Sequence, residues 1–188
     1  MVETMEKLYT EAQKCSACEL CKTRNKVVFS DGEITAPIMF IGEAPGDNED
    51  KTGIPFIGRA GQLLRNYLFE TGYKQGDFYI ANTLKCRPPK NRKPTIAEKA
   101  ACEHFLKSQI ELVNPRIIVL VGATALESFS KDKKLKITQA RGKVFECDNR
   151  KFFPIFHPSY LLRYHSTEIG SPRWLFKTDL EKIRKEFL

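Results

Sequence analysis

Several large classes of protein are excluded by what this 188-residue chain lacks. No apolar run approaches the roughly 20 residues of a membrane span. The N-terminus, MVETMEKLYTEAQK, is polar with helical spacing and has no signal-peptide core. The expectation is a cytoplasmic protein without a membrane partner. The chain also lacks internal repeats and low-complexity tracts. A dinucleotide fingerprint, G-x-G-x-x-G, is missing: Gly42 and Gly46 in GEAPG have Pro45 between them, which has no amide hydrogen to offer a phosphate. A P-loop is missing too. Gly53 and Gly58 have its glycine spacing, but Arg59 and Ala60 follow where lysine and a hydroxyl belong. Glu43, Asp47, Glu49 and Asp50 around this turn would repel phosphate. Thiol motifs are incomplete as well. No second C-x-x-C partners Cys15 and Cys18 as in a zinc ribbon, and Asn25 stands where a ferredoxin run needs its fourth cysteine.

What is present reads as an ordinary globular chain, 41% hydrophobic and 29% charged, with one domain expected over 1–188. Its net charge of +8 favours a polyanionic partner such as nucleic acid. Short apolar runs alternate with amphipathic stretches. Strands are expected at 38–42 (IMFIG), 78–83, 117–121 (IIVLV), 143–147 and 152–156. Helices are expected at 59–70, 95–113, 123–129 and 172–187. Thr95 and Glu98 form a capping box at the start of the second helix. This order predicts an α/β chain folded as a three-layer α/β/α sandwich around a mostly parallel sheet of about four strands.

In such sheets ligands bind beyond the carboxyl ends of the strands. Glu43 follows IMFIG, Asn82 ends FYIAN, and His157 follows FFPIF. With the strands parallel, an acid, an amide and an imidazole converge on one crevice. That set suits the reading of a small polar ligand and the stabilisation of developing charge.

Six cysteines in a cytoplasmic chain point to metal or catalysis rather than disulfides. One C-x-x-C, Cys15 and Cys18, plus the distant Cys86 and Cys102, suits a single four-thiolate site closed by folding. Spacing leaves zinc and [4Fe–4S] open. Cys21 reads as a spare thiol and Cys147 as a small hydrophobe.

Four motifs in order complete the reading: GEAPG, then ED-x-x-G-x-PF-x-G-x-AG-x-LL, then N-x-x-KCRPP, then HPS-x-LLR. Together they resemble the family 4 uracil-DNA glycosylases, the iron–sulfur branch of that superfamily, over most of the chain. The resemblance implies hydrolysis of the N-glycosidic bond of deoxyuridine in DNA. Phe56 would stack on the flipped uracil, and Asn82 would read its O4 and N3–H. His157 would donate to O2 as charge grows there. Glu43 and the backbone at Ala44 would press on the base and the attacking water, and Glu49 would help exclude the methyl of thymine. Some relatives of this fold carry an aspartate where Ala44 stands, which leaves the water-activating group open.

The resemblance also implies a structural [4Fe–4S] cluster on Cys15, Cys18, Cys86 and Cys102. It implies DNA contacts from Arg87, Ser159 and Arg163, with Leu161 or Leu162 filling the space of the flipped base. Lys85, Arg87, Lys90, Arg92 and Lys93 read together as a phosphate-facing loop. No oligomer or protein partner is indicated, so a monomer is expected. The competing readings are a non-catalytic iron–sulfur DNA-binding protein, a zinc-stabilised hydrolase of free nucleosides, and a covalent uracil-trapping relative. The intact trio Glu43, Asn82 and His157 favours the enzyme. The absence of a basic insertion across 47–62 favours turnover over trapping.

Overall fold

The computed structural model of the protein describes residues 4–132 and 134–188. Its elements in chain order are α1 (Met5–Lys14), β1 (Asp31–Gly32), β2 (Ile38–Gly42), α2 (Asp47–Thr52), α3 (Arg59–Glu70), β3 (Phe78–Asn82), α4 (Ile96–Val113) and β4 (Ile117–Val121). There follow α5 (Ala123–Phe129), α6 (Ile137–Ala140), β5 (Phe145–Cys147), β6 (Arg150–Ile155), α7 (Pro158–Leu161) and α8 (Pro172–Phe187).

The sheet order is β1-β3-β2-β4-β6-β5. The four central strands are parallel, and the short β1 and β5 pair antiparallel at the edges. The expected parallel core of about four strands is therefore present, widened to six by two edges.

Burial follows the two-residue period of the strands. Ile38, Phe40, Phe78, Ile80, Ile117 and Val119 face α3 and α8, meeting Leu64, Leu68, Phe176 and Leu180. Their neighbours Met39, Ile41, Tyr79, Ala81, Ile118 and Leu120 face α4 and α5. Both faces are covered, so β2, β3 and β4 read as unbroken apolar runs rather than as alternation. A third cluster lies off the sheet, where Leu8, Ala12, Leu20, Phe29 and Leu84 surround Cys86 and Cys102.

Thr95 caps α4 as its sequence predicts. Its side chain accepts from the Glu98 amide, and the Glu98 carboxylate returns to Thr95 N. From β2 the chain crosses to β3 on one side, and from β4 to β6 on the other. The exits of β2 and β4 thus flank a switch point, where such folds open a crevice.

Candidate active site and thiol pocket

A cavity of about 400 Å³ opens at that crevice, lined among others by Glu43, Ala44, Glu49, Phe56, Asn82, His157 and Ser159. The structure brings together every side chain that the resemblance assigns to the base. Parallel pairing sets Gly42 of β2 beside Asn82 of β3. A Cβ on Gly42 would stand 2.4 Å from Asn82 Oδ1 and 2.6 Å from the Phe56 ring, so glycine is what lets amide and ring share this floor. Asn82 is 3% exposed, yet among the described residues its amide group has no hydrogen-bond partner. Among the described residues, Glu43 Oε1 is the buried side-chain atom left without a partner. Buried polar atoms are almost always paired, so an unpartnered buried carboxylate oxygen beside an open amide at one cavity suits a bound ligand.

Phe56 sits in the left-handed region at φ 53°, unusual for an aromatic residue. Arg65 holds it there, with Nε donating to Phe56 O at 3.0 Å and Nη2 to Pro55 O at 3.0 Å and Asp31 Oδ2 at 2.6 Å. A side chain on Gly61 would strike the Phe56 backbone at 2.1 Å. Glu49 closes the same loop: Oε1 accepts from the amides of Ile57 (3.0 Å) and Gly58 (2.7 Å), and Oε2 from Gly46 (3.1 Å). It lines the cavity wall, but its oxygens are occupied by backbone.

His157 is half-buried at the exit of β6, with its ring 6.2 Å from that of Phe56. Its Nδ1 accepts from Ser159 N at 3.1 Å, with the Ser159 hydroxyl 2.7 Å away. A backbone N–H can only donate, so Nδ1 carries no proton and the neutral ring keeps its hydrogen on Nε2. Burial pulls the imidazole down to about 4, partly countered by the Glu49 charge. The ring is thus a neutral donor near pH 7. Ser159, an expected phosphate contact, is exposed and has its hydroxyl on His157.

One member of the expected phosphate-facing loop is not on the surface. Lys85 is 1% exposed and belongs to the interior. Its location is set by Gln109 and the backbone of Asn82, which local composition does not reveal. Arg87 pairs with Asp47 at 2.5 Å and donates to Asn91 Oδ1, tying the loop to the start of α2. Arg92 pairs with Glu98, whose carboxyl that guanidinium holds down at about 2, and Arg92 also lines the cavity. Lys90, Arg92 and Lys93 are the exposed cations of this stretch. Of the two leucines, Leu161 is fully buried in the core, while Leu162 is half-buried beside the exposed Arg163.

Cys15, Cys18, Cys86 and Cys102 line one small pocket, and Cys21 joins them. Among the described residues no three metal-binding side chains form a ready single-ion site. The contacts to the thiols are donors: Arg24 Nη1 reaches Cys86 Sγ and Lys85 N reaches Cys102 Sγ, each at 3.3 Å. Burial pushes the Cys86 thiol up to about 11 and raises Cys102 as well. Donors around buried sulfurs suit thiolates that a metal centre would neutralise. The residues therefore fit a thiolate-held metal group. Cys147 lies on edge strand β5, half-buried against the sheet core.

A sheet crevice carrying an aromatic floor, an amide and a neutral histidine donor defines a pocket for a planar heterocycle. The family model for the uracil DNA glycosylase superfamily matches residues 29–184. The chain is 49% identical over 183 residues to a type-4 uracil-DNA glycosylase of Thermotoga maritima, covering 97% of this chain and 94% of the relative. A type-4 uracil-DNA glycosylase of Sulfurisphaera tokodaii is 37% identical over 98% of this chain and 85% of its own length. One of Archaeoglobus fulgidus is 38% identical over 86% and 84%. The chain belongs to the uracil-DNA glycosylase superfamily, in its type-4 family.

Proposed function

We propose that this chain is a DNA-repair uracil-DNA glycosylase, releasing free uracil and leaving an abasic site. The observation that carries the reading is the neutral His157, its proton on Nε2, in one cavity with the unpartnered Asn82 amide. The base leaves the duplex stack at a cost of about a few kcal/mol. Phe56 takes its face. Asn82 donates from Nδ2 to O4 and accepts N3–H at Oδ1. Cytosine presents the reverse pattern and leaves both ends mismatched. As the C1′–N1 bond breaks, its electron pair moves into the ring, and the His157 Nε2–H donates to O2 where the charge collects. Water adds to C1′ of the oxocarbenium-like sugar. The unpartnered Glu43 Oε1 orients that water and takes its proton, while solvent protonates the departing uracil anion.

The four cysteines Cys15, Cys18, Cys86 and Cys102 would hold a [4Fe–4S] cluster, supported by their shared pocket and by the likeness to type-4 relatives. Its contribution is structural, because hydrolysis transfers no electrons. Leu162, Arg163, Lys90 and Lys93 would meet the DNA around the cavity. The six free thiols suit a reducing cytoplasm, and we assign a monomer of one domain.

The test is cleavage of an oligonucleotide bearing one deoxyuridine, followed by alkali. His157→Ala should lose about 10²–10³ in rate, the size of one oxyanion donor. Asn82→Ala should fall comparably, both with iron retained. No strand breaks from iron-loaded wild type would overturn the reading. Protein bonded to the oligonucleotide on a denaturing gel would favour the covalent trap.

A further inference from the structure

A lysine ammonium is among the groups least suited to a protein interior, and it persists there only when its donors are satisfied. Lys85 Nζ donates to the main-chain oxygen of Asn82 at 2.8 Å and to Gln109 Oε1 at 2.5 Å, and it lies 5.8 Å from the centre of the Phe29 ring. Both acceptors are neutral, and among the described residues no carboxylate pairs with it. Gln109 is itself fixed, with Nε2 donating to Phe29 O at 3.2 Å and Tyr79 Oη at 3.0 Å. An apolar side chain of similar length would fill this space without the cost of burying a charge. Beside its charge interaction with the Cys102 and Cys86 thiols, the ammonium adds a hold on the carbonyl of Asn82.

The rest of that peptide is gripped as well. Thr83 N donates to Gly42 O at 2.9 Å, Thr83 Oγ1 to Glu43 O at 2.5 Å, and Leu84 N to Glu43 O at 3.0 Å. These bonds lock the exit of β3 to the exit of β2. The Asn82 amide, by contrast, has no partner among the described residues, so its direction rests on where its backbone is held and on the packing of Gly42 and Phe56 beside it. The far end of the Lys85 residue faces the thiols, through Lys85 N and Cys102 Sγ.

We propose that Lys85 is a positioning residue for uracil recognition: its buried ammonium fixes the Asn82 carbonyl, and thereby aims the Asn82 amide at the edge of the base. The inference rests on the glycosylase reading above. A displacement of about 1 Å at such a reader costs on the order of 10²-fold.

The experiment is a double-mutant cycle of Lys85→Met with Asn82→Ala on a single-stranded deoxyuridine oligonucleotide, with kcat, KM and iron per chain measured for each. Lys85→Met should lower kcat/KM about 10–100-fold with iron unchanged, and Lys85→Arg should restore part of it. On the Asn82→Ala background the same change should cost less than about twofold, because no amide is left to aim. An equal loss on both backgrounds would overturn the inference, as would loss of iron in Lys85→Met. If Lys85→Met does not fold, Gln109→Leu frees the ammonium from its other acceptor and enters the same cycle, with a smaller loss that must also vanish on Asn82→Ala. A wild type that leaves deoxyuridine uncut fails the glycosylase reading itself and is read separately from the cycle.

Discussion

The base pocket and the thiol pocket lie on either side of Ala44, which lines the first and packs against the apolar cluster around the second, and they are built on different terms. In the base pocket the groups that hold the walls are paired with one another. Glu49 takes three backbone amides, Arg65 takes the Phe56 turn, and Ser159 takes the inner nitrogen of His157. Only the groups facing the cavity are left open, the Asn82 amide and Glu43 Oε1 among them. In the thiol pocket the reverse holds. Its sulfurs come from three segments far apart in sequence, they are met by donors alone, and burial keeps Cys86 and Cys102 protonated in the absence of a cation. The first pocket is finished by folding; the second leaves its thiols to be neutralised by the cluster proposed above.

The largest effect that would break this comparison is expected at the thiols. Cys86→Ser should abolish the visible iron–sulfur absorbance and destabilise the fold by more than about 4 kcal/mol, as losses of structural metal do. In a chain of this size that lowers the melting temperature by roughly 10 °C. His157→Ala should leave both iron content and melting nearly unchanged. If Cys86→Ser kept its iron and its melting temperature, the thiol pocket would be no more dependent on a bound group than the base pocket.

A smaller effect probes the claim that the base pocket is preformed. In Gly42→Ala the new Cβ meets Asn82 Oδ1 and the Phe56 ring at once, and both neighbours are held by well-paired loops. Both contacts are side-chain atoms, so the amide and the aromatic floor must swing apart to admit the methyl. We expect about a 100-fold loss of kcat/KM on deoxyuridine DNA with iron unchanged. Full activity in Gly42→Ala would show a pocket that adjusts around its ligand.

Much of this was legible in the sequence, and the reason is local. IMFIG and IIVLV are apolar throughout because both faces of the sheet are covered, and RAGQLLRNYLFE carries its stripe at helical spacing. The exits of three parallel strands then place Glu43, Asn82 and His157 without further information. What stayed hidden depends on contacts between distant residues. β1 is two residues long and exists only because Asp31 and Gly32 pair with β3. Helix α2, DNEDKT, reads as an acidic loop until Glu49 is seen returning to Gly46. Lys85 looks like one more cation of a basic loop, and only Gln109, from the next helix, reveals it as interior. Arg87 was spoken for by Asp47 in the same way.

The smallest effect concerns protons, and it separates the pockets by sign. Burial pushes His157 down to about 4 in the folded chain, from near 6.5 when unfolded. Between these values only the unfolded chain takes up the proton, so the stabilisation is whole above about pH 6.5 and shrinks as pH falls toward 4. At pH 5 the loss is about 2 kcal/mol relative to pH 7.5. Burial sets the direction, and the geometry agrees with it: a proton on Nδ1 would face the Ser159 N–H, a donor against a donor. Urea unfolding of wild type and His157→Gln at both pH values isolates this residue, because every other titrating group is common to the pair. Wild type should lose about 2 kcal/mol more than the variant on acidification. Equal losses would mean that the ring protonates as freely as in water, and the neutral donor that the base pocket is built to present would have to come from elsewhere.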